Sequence, residues 1–324
     1  MILPSLLAAI IPTGFYVTLI YWVDRYEKEP LRLVLAAFLW GAIPSIIAAF
    51  LFNTALSIPF YLLSEGFGDF VGAVVIAPPV EESLKGLALL GIFVFWQHEL
   101  DSPLDGIIYG AMVGMGFAMV ENVFYFTRVY KELGLAAWEV NIFMRAFLFG
   151  LNHALFSSMT GLGLVAARFA RGKITRLAAP IAGWSVAVLL HATHNASASI
   201  GGLFCVLLFL SDYGGLLLTF GIIAWALWQE SRWIQNYLAE EVEHGLLTAQ
   251  QWQTASSTWK RAKQSLRQLS TGGFAGYRAS IRFYEHCAEL AYKKHQFSLF
   301  QRGRDQERAE RLRTEIAALQ QRMT

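Results

Sequence analysis

The chain has 324 residues, 55% apolar and only 15% charged, with a mean hydropathy of +0.43; a soluble domain carries about a quarter charged residues, so a water-soluble α/β fold is excluded. The formal net charge is +2 and most Lys and Arg flank apolar segments or lie in the last hundred residues, which gives no basis for a nucleic-acid partner. Cys205 and Cys287 are the only cysteines, so a disulfide framework and a cysteine-held zinc are both excluded, and a metal would need His and carboxylate ligands.

A bilayer core takes about 20 apolar residues per helix. Seven segments meet that length, 5–23, 31–52, 70–96, 105–127, 143–168, 178–199 and 203–228. The expected fold is therefore all-α, a polytopic membrane helix bundle of about seven transmembrane helices. The first segment lacks a basic start and a small-residue cleavage site, so it reads as a span and not as a signal peptide. The seventh is interrupted by Ser211-Asp212-Tyr213-Gly214-Gly215, a kink, a partner-facing polar patch or a re-entrant bend. Basic residues gather in cytoplasmic loops. Arg25, Lys28 and Arg32 follow the first span, and Arg168, Arg171, Lys173 and Arg176 lie at the fifth-to-sixth connection. An integral cell-membrane protein with its N-terminus outside and its C-terminus cytoplasmic follows. The expected division is a transmembrane domain, 1–229, and a cytoplasmic helical tail, 230–324. The tail breaks at Gly272-Gly273, carries an apolar stripe of Leu312, Ile316, Leu319 and Met323, and could engage a cytoplasmic partner.

The spans hold polar groups that lipid does not tolerate unaided. A charge at the bilayer centre costs about 2.5–3.5 kcal/mol on insertion scales, yet the third span reads Pro78-Pro79-Val-Glu81-Glu82-Ser-Leu-Lys85. The prolines are expected to break the helix and restart it, leaving both carboxylates in a first turn favoured by the helix dipole. Lys85 follows Glu81 by four residues and Glu82 by three, so it reaches either. In the fourth span Glu121-Asn122 has no basic residue to neutralise it, so its partner must come from another helix. Gly106, Gly110 and Gly114 recur every fourth residue and allow a neighbouring helix to approach. The fifth span carries Asn152-His153 with Ser157 one turn on, and the sixth carries His191-Ala-Thr-His194-Asn195. His191 and Asn195 share a face, whereas His194 points about 60° away and reads as a support to the site or as packing. At a rise of about 1.5 Å per residue, Glu81, Glu121, His153 and His191 all fall in the outer half of the bilayer.

Carboxylates and histidines at one depth are the ingredients for activating water, by a general base or on a metal. Zinc takes three ligands from His and Glu and leaves a fourth position for water; Glu121, His153 and His191 are a chemically suitable set. A metal-free arrangement, in which Glu81 or Glu82 pairs with a histidine, is the rival.

Taken in order, Asp24-Arg25-Tyr26-Glu27-Lys28-Glu29-Pro30, Glu81-Glu82-x-x-Lys85, Asp105-Gly106-x-x-Tyr109-Gly110, Phe117-x-x-x-Glu121-Asn122, His153-Ala154 and His191-x-x-x-Asn195 give a pattern that resembles the PrsW intramembrane peptidases. Those are relatives of the CAAX-prenyl-protease and bacteriocin-processing membrane enzymes. The resemblance implies Glu81 or Glu82 as the water-activating carboxylate, Glu121, His153 and His191 completing the site, and Asn195 polarising the scissile carbonyl. Lys85 and Asn122 stand in the same motifs. It also implies a membrane-tethered protein substrate, an anti-sigma factor being the best-known kind. The wider superfamily has a histidine where this chain has Glu121. Two other classes fit the composition, a proton- or ion-coupled transporter using the same Glu and His cluster and a non-catalytic scaffold whose tail recruits partners.

Overall fold

The computed structural model describes residues 1–24, 26, 28–301 and 303–321. Arg25 and Glu27 of the first basic loop, and Met323 of the C-terminal stripe, lie outside the described residues. Among those described, every regular element is a helix. The chain divides into two units, one of Met1–Val23 and Glu29–Ile223, the other of Asp24–Lys28 and Ala224–Thr324.

The first unit begins with α1 (Ile2–Val23), then α2 (Leu31–Trp40), a π-turn at Gly41–Ser45 and α3 (Ile46–Tyr61). Next come α4 (Glu65–Val71), a second π-turn at Gly72–Ile76 and α5 (Ala77–Phe95). The expected break at Pro78-Pro79 does not occur. A proline ring collides with the carbonyl four residues back and offers no amide. The π-turn lies immediately before the two prolines, and Gly72, Ile76 and Ala77 all keep right-handed helical dihedrals. A widened turn of this kind lets the helix continue where an α-turn would clash. Glu81 and Glu82 therefore sit inside a running helix and not at a fresh N-terminus.

α6 (Pro103–Ile142) starts at a capping box. Asp105 accepts from the backbone N–H groups of Asp101 and Ser102 at 2.7 and 2.6 Å, so this motif carboxylate is a helix cap. Two motifs also join here, because the Tyr109 hydroxyl donates to Glu29 at 2.5 Å. α6 bends at Gly134, whose φ is +84°, and a π-helical stretch at Phe143–Leu148 leads into α7 (Asn152–Phe169). α8 (Lys173–Ile200) and α9 (Phe204–Glu243) follow.

The glycine stripe of α6 sets the register of the site. A Cβ at Gly106 would stand 2.8 Å from the Gly161 carbonyl, and one at Gly110 would stand 2.6 Å from the Ser157 oxygen; Gly114 abuts the His153 carbonyl. Partner numbers fall as α6 numbers rise, so α6 and α7 run antiparallel with their backbones in contact. α7 and α8 repeat the device: a Cβ at Gly163 would stand 2.6 Å from the Ala179 oxygen, and Gly183 abuts Met159. That antiparallel register brings His191 level with the first turn of α7, where His153 lies.

Among the described residues, five stretches are long and apolar enough to cross a membrane by length and composition: Ile2–Val23, Leu31–Tyr61, Pro103–Phe169, Lys173–Ile200 and Phe204–Glu243. The sequence reading has seven. Pro103–Phe169 contains two of those, since the chain reverses at Gly134, which brings Phe126 against Ala146. The segment holding Glu81, Glu82 and Lys85 is not among the five, for its charges disqualify it on composition.

The second unit comprises Asp24–Lys28, the polar part of α9, α10 (Ala249–Ala255), α11 (Thr258–Phe300) and α12 (Gly303–Gln321). α11 is two helical arms about Gly273, whose φ is +62°. Ile234, Leu238, Phe283, Cys287, Leu312 and Ile316 are fully buried in its core, with Leu319 packed against them. Burial pushes the Cys287 thiol up to about 12, so it behaves as a small apolar side chain. Tyr26 belongs to this core: its hydroxyl donates to the Ser256 carbonyl at 3.0 Å and the Arg261 guanidinium lies 5.5 Å from its ring centre.

Glu289 gives this unit a dependence on pH. Burial raises its carboxyl, but the His286 ring 3.6 Å away and two hydrogen bonds from Arg308 outweigh that and hold it at about 2 against a usual 4.5. A carboxyl depressed in the folded state stabilises above the unfolded value, and the contribution is lost as pH falls through the folded one. The melting temperature of the C-terminal unit is therefore expected to drop between pH 4.5 and about 2. Arg308→Ala should reduce that drop, because Arg308 bonds Glu289 through two nitrogens at 2.7 and 3.0 Å. Unchanged pH dependence in melts of the variant would refute the assignment.

Candidate active site

Lys85 is the middle of the polar cluster. Its ammonium is fully buried, donates to Glu82 Oε1 at 2.8 Å and to His153 Nδ1 at 2.9 Å, and stands 3.8 Å from Glu81 Oε2. The Phe117 ring lies 4.0 Å from it. An ammonium has no lone pair, so His153 Nδ1 must accept. In the neutral ring the remaining proton is then on Nε2, which donates to Glu121 Oε2 at 3.0 Å.

Glu82 is saturated. Its Oε1 also accepts from His191 Nδ1 at 3.0 Å, and its Oε2 accepts from the Ser157 hydroxyl at 3.1 Å. This carboxylate holds His191 in one tautomer, leaving the lone pair on Nε2. Phe156 stacks on the same ring at 5.0 Å and fixes its plane.

Glu81 is the opposite case. Asn53 donates to its Oε1 at 3.2 Å, but its Oε2 is buried and makes no hydrogen bond among the described residues. That oxygen stands 3.9 Å from His191 Nε2. Two lone pairs thus face one another at a distance too long for a direct bond, in a place that wants a proton donor or a cation between them. Adjacent glutamates therefore differ: Glu82 orients, and Glu81 is open.

Glu121 finds the partner that the sequence reading required from another helix. Arg145 bonds Glu121, donates to Asn122 Oδ1 at 2.8 Å and lies over the Tyr125 ring. A lone arginine entering an apolar span was the available signal. Glu81, His153 and His191 each offer one donor atom within 4.8 Å of the others. The geometry thus gathers Glu81 with the two histidines, and places Glu121, expected beside them as a ligand, in an ion pair at their edge. The set of one carboxylate and two imidazoles suits zinc. Glu81 Oε2 and His191 Nε2 are ready donors, whereas His153 would join only by releasing Lys85 or Glu121.

Asn195 donates to the Ala73 carbonyl at 2.8 Å, which leaves its second amide N–H for another acceptor. His194 and Asp212 form a neighbouring cluster. Asp212, fully buried on α9, accepts from His194 Nδ1 at 2.7 Å and from Asn152 at 2.8 Å. Since α9 is continuous through residues 211–215, the interruption in the seventh span is a partner-facing polar patch. A carboxylate in an apolar helix was its signal.

The family model described as "PrsW family intramembrane metalloprotease" matches residues 29–226. The chain is similar to "Protease PrsW" of Geobacillus kaustophilus (strain HTA426), 33% identical over 172 residues, which are 50% of this chain and 66% of the relative. With "Protease PrsW" of Bacillus subtilis (strain 168) the identity is 33% over 168 residues, 51% of this chain and 70% of the relative. With that of Clostridioides difficile (strain 630) it is 30% over 175 residues, 53% and 70%. No solved structure matches the chain. The second unit beyond residue 226 lies outside the family match.

Proposed function

Since the chain belongs to the PrsW family of intramembrane metalloproteases, we propose that it hydrolyses a peptide bond of a membrane-tethered protein, with Glu81 as the carboxylate that takes the proton from water. The open, buried Oε2 of Glu81, facing the lone pair of His191, is the observation that carries this reading. A water between them would give one proton to Glu81 and be aligned by the imidazole. The same carboxyl group then returns its proton to the leaving amine. Glu82 keeps His191 in the required tautomer, Lys85 holds Glu82 and His153 in place, and Arg145 holds Glu121 against His153. The spare N–H of Asn195 is available to a scissile carbonyl. In the alternative arrangement a zinc ion held by Glu81, His191 and His153 would supply Lewis acidity for the water and the carbonyl, and Glu81 would then be a ligand and not the base.

Family membership favours hydrolysis over ion transport or a scaffold role. The resemblance favours an anti-sigma factor or a similar single-span protein as substrate. The distribution of Lys and Arg favours a cytoplasmic C-terminus, with residues 1–229 as the peptidase domain and 230–324 as its tail.

Purified, reconstituted protein is expected to cut a membrane-tethered reporter, to lose activity to a strong chelator, and to recover it with zinc. Cleavage that survives exhaustive chelation would remove the metal and leave the carboxylate mechanism; no cleavage of any tethered reporter would overturn the peptidase reading.

A further inference from the structure

Between Glu243 and Glu285 the chain has no Asp or Glu and six Lys or Arg, a bias found nowhere else along the tail. The first arm of α11 lies in this stretch. Its inner face turns Arg261 and Ser265 inward, and Ser265 meets Ser280 of the second arm at 3.1 Å, so the two arms fold back on each other as a hairpin about Gly273. Its outer face exposes large apolar side chains. Trp259 is 78% accessible, Leu266 61% and, at the hairpin tip, Phe274 63%. Lys263 and Arg267 are exposed on the same face, at positions four and eight after Trp259. Arg278 lies 4.8 Å over the Phe274 ring and adds its charge to the tip.

A soluble helix hides such side chains or replaces them. Here they are interleaved with cations and with no anion, although α12 of the same unit mixes both signs. Apolar and aromatic residues at helical spacing among lysines and arginines are the composition of a helix that lies in a membrane interface. The bias to one sign selects the kind of surface, because anionic headgroups attract basic side chains and neutral ones do not. We propose that the outer face of the first arm of α11, with the hairpin tip, docks on the anionic lipid surface of the bilayer that anchors the chain. The apolar side chains of Trp259, Leu266 and Phe274 enter the headgroup layer, and Lys263, Arg267 and Arg278 pair with lipid phosphates. This surface is independent of the intramembrane site.

The test uses the full chain carrying Ser270→Cys and Cys205→Ser, labelled at residue 270 with an environment-sensitive fluorophore; Cys287 is buried and shielded from the reagent. The labelled protein is placed in nanodiscs of phosphatidylcholine alone or of phosphatidylcholine with phosphatidylglycerol. A blue-shifted emission, at least twofold brighter, is expected only in the phosphatidylglycerol discs. It should be quenched by a lipid-borne quencher and reversed by high salt, since surface attraction is screened. Lys263→Glu with Arg267→Glu should abolish it, and Trp259→Ser with Leu266→Ser should weaken it, with unchanged melting temperatures because all four residues are exposed. Equal emission in both kinds of disc would overturn the proposal. So would a change that follows the number of chains per disc and not lipid charge, which would assign the face to a second copy.

Discussion

Replacing Glu81 with glutamine is expected to lower kcat/KM for a tethered substrate by about 10²–10⁴-fold, the usual worth of a positioned general base, while the protein remains folded. The substitution keeps the volume of the side chain and can keep an acceptor for Asn53, which donates to Oε1 at 3.2 Å. It removes the charge and basicity of Oε2, an atom that accepts no hydrogen bond among the described residues and has the Lys85 ammonium, 3.8 Å away, as its ion-pair neighbour. Glu82→Gln should behave differently. Glu82 is the 2.8 Å counter-ion of a lysine with no solvent exposure, and stranding a buried charge costs about 3–5 kcal/mol. Its loss is thus expected to appear in the melting temperature as well as in rate. Comparing reporter cleavage and thermal melts of the two variants separates the roles. Wild-type turnover by Glu81→Gln, or a large loss of stability with it, would show that the open oxygen is not the reacting one.

The second large effect is expected from the histidines. His153 and His191 come from helices α7 and α8, yet their ring centroids are 5.1 Å apart and Lys85 and Glu82 link them in one hydrogen-bonded chain. His153→Ala and His191→Ala are each expected to reduce cleavage by about 10²-fold or more. The double variant should be within about tenfold of the worse single one, because residues acting as a unit are strongly non-additive. Separate packing roles would instead give multiplying losses in rate and summed losses in stability. Kinetics of the four proteins in one detergent or lipid, each with a melting curve, decide the matter. Multiplied losses would divide the cluster into two unrelated sites.

Much of this molecule was legible in its amino-acid order, and the reason is the solvent. Lipid demands about 20 apolar residues for each crossing and penalises each charge within one, so the helices and the intruders Glu81, Glu82, Lys85, Glu121, His153 and His191 stand out without coordinates. The small residues at 106, 110 and 114 likewise announce close helix packing. What they meet does not follow from their spacing. Local pattern identifies the polar residues of a helix but not the inter-helix register that selects their partners. Glu81 and Glu82 are neighbours in sequence, about 100° apart around one axis. Only the packing of α3, α7 and α8 against α5 adds Ser157 and His191 to the Lys85 contact of Glu82 and leaves Glu81 one open oxygen. The same register pairs Glu121 with Arg145 and Asp212 with His194, across 24 and 18 residues. The helix itself offered a further instance: two prolines read locally as a break, whereas a π-turn carried the chain past them. Composition and period thus determined the solvent, the fold class and the inventory of the site. Tertiary structure alone decided which carboxylate keeps an open oxygen, because that depends on which hydrogen-bond partners neighbouring helices supply.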